Sequence, residues 1–118
     1  MRYSQQQLEH FHNAQHAGKL DENDPSVILT EMGNADGGNV IHLYLKICNK
    51  QIIAAKFLAF GSVAVIACGE YTCRYLEGKT INAAQQLTAT QIMQGLEMLD
   101  IEIHAATLVA RAVKKSLH

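Results

Sequence analysis

The chain of 118 residues contains no tryptophan, one proline (Pro25) and three cysteines. A single proline leaves long, uninterrupted helices and strands available to the backbone. Cys48, Cys68 and Cys73 are an odd, scattered set and not the even count of a disulfide framework, so a reducing, cytoplasmic compartment is expected. An excess of one charge sign is also missing: 10 basic against 11 acidic residues give a formal net charge of -1, with no basic stripe. Such a balance offers no footprint for nucleic acid or an anionic membrane, and neither is expected as a partner. No apolar run approaches the roughly 20 residues that span a bilayer. Met1 to Gln7 lack the apolar core of a signal peptide. What remains is 48% hydrophobic and 18% charged, the balance of an ordinary globular chain, expected to form one domain over residues 1–118.

Local patterns then divide the chain. Ser4 and Gln7 have capping-box spacing and Tyr3 and Leu8 that of a hydrophobic staple, which predicts a helix starting at Ser4, with Gly18 suited to its end. After a polar connection from Lys19 to Pro25, Val27-Ile28-Leu29 reads as a strand. It is ended by the glycine-rich loop Gly33 to Asn39. Leu43, Leu45 and Ile47 alternate with polar neighbours, as in a half-buried strand. Asn49-Lys50 fits a two-residue hairpin turn before a returning strand from Ile52 to Phe60. From Ser62 the period becomes helical through Leu76, with Gly78 at the C′ position and Val63, Ile66, Ala67 and Tyr71 as the expected inner face. Further helices are expected from Ile81 to Leu87, from about Gln91 to Leu99 with Thr88 or Thr90 as the cap, and from His104 to Leu117. The last has Leu108, Val109, Ala112 and Val113 as its apolar stripe. The fold class is α+β: an N-terminal helix, a three-stranded antiparallel meander and C-terminal helices packed on one face.

Several candidate chemistries fail on spacing. Gly78-Lys79-Thr80 ends like a phosphate-binding loop, but the glycine needed five residues earlier is Cys73, and a helix precedes it where a strand is required. Cys68 and Cys73 point about 140° apart on a regular helix and cannot both hold one ion. They read as core residues. His12 and His16, four apart, share a face if the first helix continues, yet no third ligand lies nearby. His104 is open to three readings: ligand, proton donor or inert capping side chain. Asp100 and Glu102 lie close to it, but no nucleophile motif accompanies them, so an enzyme is not expected and no residue is assigned as catalytic.

Four segments carry a resemblance. His10-Phe11-His12-Asn13 with Gly18-Lys19-Leu20, then Gly38-Asn39-Val40-Ile41-His42-Leu43, then Lys56-Phe57-Leu58-Ala59-Phe60-Gly61-Ser62, then Ile103-His104-Ala105 follow the order and spacing of the IscU/NifU family of iron–sulfur cluster assembly scaffolds. The chain resembles that family over nearly its whole length. The resemblance implies a scaffold whose three cysteines, an aspartate and a histidine hold iron or zinc and take sulfur from a cysteine desulfurase. Carried over by position, the cysteines fall on Gly37, Ser62 and Ala105, the aspartate on Asn39, and only His104 keeps its identity. Glycine and alanine offer no ligand atom, and a serine hydroxyl is not deprotonated near neutral pH, so soft-ligand cluster binding is not expected. The family's chaperone-docking motif, Leu-Pro-Pro-Val-Lys, is replaced by Met98-Leu99-Asp100-Ile101-Glu102. The prolines are lost, and the change from lysine to glutamate is expected to reverse a surface charge. The implied function is a scaffold-like protein that acts through assembly components, a cysteine desulfurase or a functional scaffold, without a cofactor of its own. The alternative is an iron, zinc or cluster site rebuilt from His104 with Asp36 or a displaced cysteine such as Cys68.

Overall fold

A computed structural model describes residues 3–34 and 38–117. Helix α1 spans Gln5–His12, with the Ser4 hydroxyl accepting the Gln7 N–H at 3.0 Å. The expected capping box is only half made, because the Gln7 side chain is buried and donates to Glu102 Oε1 at 3.1 Å. The helix ends well short of Gly18. The backbone beyond it finds its hydrogen bonds in a strand instead: His16 C=O accepts the Phe57 N–H at 3.0 Å, and the Gly18 N–H donates to Phe57 C=O at 2.8 Å. His12 and His16 therefore do not share a helical face, and the spacing of a helical metal pair is not realised.

The sheet has the order β1 (Val27–Asn34), β2 (Asn39–Cys48) and β3 (Gln51–Phe60), antiparallel throughout. β1 continues beyond the expected Leu29, since Gly33 pairs with Val40 and Asn34 with Asn39. Asn49 and Lys50 both take left-handed conformations, φ 53° and 63°, as a tight two-residue hairpin turn requires. The inner face carries Ile41, Leu43, Leu45, Ala55 and Phe57, all buried. Residues 21–26 fold over part of the outer face, where Glu22 meets the hydroxyl of buried Tyr44 and Asp24 pairs with Lys46 at 3.1 Å.

Helix α2 (Val63–Leu76) packs on β3, and α5 (Ile103–Ser116) on β1 and β2, so the principal helices cover one face as expected. α2 buries Ala64, Val65, Ala67, Cys68, Cys73 and Leu76, while Val63, Ile66 and Tyr71 are only half-buried. Its buried arc is broad because α1, the sheet and α5 enclose it from three sides. The approach to the sheet is closest at Gly69, where an added Cβ would stand 2.6 Å from the Phe57 ring. α3 (Ile81–Ala84) is shorter than expected. α4 (Ala89–Gly95) is capped by Thr88, not Thr90, and stops before Leu99 as Glu97 turns to φ 50°. A single 3₁₀ turn, Asp100–Glu102, leads into α5. Among the described residues no helix is long and apolar enough to cross a membrane.

Candidate functional site

The start of β2, the end of β3 and the start of α2 meet at one end of the sheet. Gly61 makes the corner with φ +132°, and a Cβ there would overlap the Asn39 side-chain oxygen. That close approach lets Asn39 Oδ1 accept the Ser62 N–H at 3.1 Å. The Ser62 hydroxyl is turned back to cap α2, accepting the Val65 N–H at 3.3 Å. Two of the five positions expected from the resemblance, Asn39 and Ser62, are thus brought together, but their oxygens accept backbone N–H groups. Ala105 is buried, with its methyl group in the core, and His104 lies exposed in the first turn of α5. Gly37 and Asp36 lie outside the described residues. Among the described residues no group of three or more His, Cys, Asp or Glu side chains is arranged to hold a metal ion.

The cysteines fit cluster binding no better. Cys68 is fully buried with its Sγ 3.6 Å from the Met98 sulfur, and burial, aided by the Glu102 carboxylate, pushes its thiol far above the ordinary range. Burial does the same to Cys73. Both thiols are enclosed in the core, away from the Asn39–Ser62 corner and from solvent. Cys48 is exposed, but it sits at the far end of β2 from Asn39, about 30 Å away at strand rise.

The segment from Met98 to Glu102 corrects one expectation. Leu99 and Ile101 are exposed at 55% and 70%, and Asp100 is exposed, whereas Glu102 is buried at 7%. Its Oε1 accepts the Leu99 N–H at 2.9 Å and the Gln7 side-chain amide at 3.1 Å. The side chain points inward to cap the start of the 3₁₀ turn and anchor α1, so no reversed charge is displayed to a partner. Glu102 is also committed away from an acid–base role with His104. Sequence reasoning missed the link from Gln7 to Glu102, because nothing local connects positions 95 residues apart.

The family model of the NifU-like N-terminal domain matches residues 2–118. The iron–sulfur cluster assembly protein IscU of Plasmodium falciparum is 33% identical over 115 residues, which cover 98% of this chain and 71% of that protein. The scaffold protein IscU of Azotobacter vinelandii is 31% identical over 118 residues, covering 99% of this chain and 92% of that one. Among solved structures, a protein described as an iron–sulfur cluster assembly scaffold for the SUF system, from Fervidobacterium islandicum AW-1, superposes with a TM-score of 0.79. It is 18% identical and the match covers 98% of this chain and 96% of that one.

Proposed function

The chain belongs to the NifU-like N-terminal domain family, and from that premise we propose that it is an assembly component that acts by binding, without holding a cluster itself. By family and fold it is an IscU-like scaffold. The partners proposed are a cysteine desulfurase or a cluster-holding scaffold, in a reducing compartment such as the cytoplasm.

One observation carries the reading: at Asn39, Ser62 and Ala105, three of the positions where the resemblance sets a metal ligand, the side chains complete the fold. Asn39 and Ser62 bond to backbone N–H groups, and Ala105 fills the core. One exposed imidazole, that of His104, cannot by itself retain a cluster. Beside it Leu99, Ile101 and Ile103 remain exposed, the kind of apolar surface that protein contacts use. The alternative carrier would pair His104 with Asp36, or would have to draw a cysteine such as Cys68 out of the core.

Anaerobic incubation with iron and sulfide, followed by absorption spectra and metal analysis, tests the negative half of this reading. The expected result is no stoichiometric metal or sulfide. A stoichiometric cluster lost in His104→Ala would overturn it. Pull-down with a cysteine desulfurase and with a cluster-holding scaffold tests the positive half, and binding to neither would refute it.

A further inference from the structure

α1 has little apolar grip on the domain. Its buried residues, Gln7 and His10, are both polar, and Leu8 is exposed. It and the connection after it are held by polar ties that converge on His16 and Arg74. Glu70 of α2, fully buried, accepts the His16 backbone N–H at 2.9 Å, His16 Nδ1 at 2.7 Å and Arg74 Nε at 2.8 Å. Glu77, just beyond α2, faces His16 Nε2 with Oε1 at 2.8 Å, while its Oε2 accepts the Ala55 N–H at 3.0 Å. Arg74 reaches both carboxylate oxygens of Glu9, at 2.7 and 3.0 Å, and the Asn13 carbonyl at 3.0 Å.

A neutral imidazole has one N–H, so it can satisfy only one of two carboxylates. With both ring nitrogens of His16 on carboxylate oxygens, only the imidazolium makes both bonds. We propose that residues 4–18 are a strap fastened by the protonated His16 ring, and that loss of the ring proton to solvent loosens the strap from α2 and β3. The titratable and charged groups that face or border the ring are Glu70, Arg74 and Glu77 on the α2 side, Glu9 and His10 through Arg74, and Lys56 on β3 beside Gly18 and Glu77. Loosening withdraws Gln7 from Glu102 and frees the Phe57 backbone edge.

The sign follows from the ring's environment. Burial opposes its charge, but the bonds and charges of Glu77 and Glu70 outweigh burial and raise it above the ordinary 6.5. The stabilisation is therefore complete below that value and is lost as pH rises through the raised one. On the acid side, Arg74 holds Glu9 down to about 2. Glu77 is also lowered, because His16 and the Ala55 N–H outweigh burial. The strap is tightest in mildly acid solution.

Amide hydrogen exchange of the whole chain, corrected for intrinsic rates, tests this at the Gly18 and Phe57 N–H groups, with β2 amides as the control. Protection at both is expected to fall as pH rises from the ordinary imidazole value through the raised one, tenfold for each unit by which the ring's pKa is raised. His16→Gln should give low, pH-independent protection there, and Glu77→Gln a weakened dependence. Should His16→Gln fail to fold, ring titration by NMR in the unsubstituted chain and the Glu77→Gln exchange profile decide. Protection that does not change with pH, an unaltered profile in either variant, or a ring titrating at or below its ordinary value would overturn the proposal.

Discussion

Ser62, which the resemblance sets at a cysteine position, caps a helix with its hydroxyl. Ser62→Ala should cost about 0.5–2 kcal/mol, the usual range for losing an N-cap, measurable by urea unfolding. Gly69 has stricter demands than Ser62, because a methyl group there would press into the Phe57 ring. Gly69→Ala should destabilise by about 1–3 kcal/mol through overpacking, with a fall in thermal midpoint as the readout. His104→Ala, at an exposed position, should leave stability within about 0.5 kcal/mol. That Ser62 and Ala105 carry no thiol was legible from residue identity. The replacement roles were not, because the Asn39 bond to Ser62 depends on how closely the Gly61 corner brings two strands.

At the scale of elements, starts were more legible than ends. Ser4, Ser62 and Thr88 each announce a helix through a bond made within three residues. The end of α1 was not readable, since residues 14–18 follow β3 through Phe57, about forty positions away in sequence. The inward turn of Glu102 was hidden for the same reason. Glu102→Ala strips the Leu99 N–H and the Gln7 amide of their acceptor, and should cost about 1–3 kcal/mol for each donor left unsatisfied. The loss should appear as reduced amide protection in α1 as well as around Leu99, which separates a tether between elements from a purely local cap.

For the whole molecule, the arrangement of layers decides which thiols meet solvent. Cys68 and Cys73 are sealed between α2 and its neighbours, and Cys48 lies on the rim at the hairpin. A thiol reagent should therefore modify one cysteine in the native protein and three after denaturation. Ready native labelling of Cys68 would reopen the displaced-cysteine site. The α+β plan with helices on one face was legible because alternating and helical periods are properties of single segments. The joint between Asn39, Gly61 and Ser62 has a wider consequence. Where a metal site closes a domain, folding is linked to metal binding and a chelator unfolds the protein. Here a carboxamide and a backbone amide hold the strand and helix ends together. Chelators should accordingly leave the thermal midpoint unchanged. A corner fastened in this way draws on the chain alone, so refolding from urea should proceed at the same rate in metal-free buffer as in buffer supplied with iron.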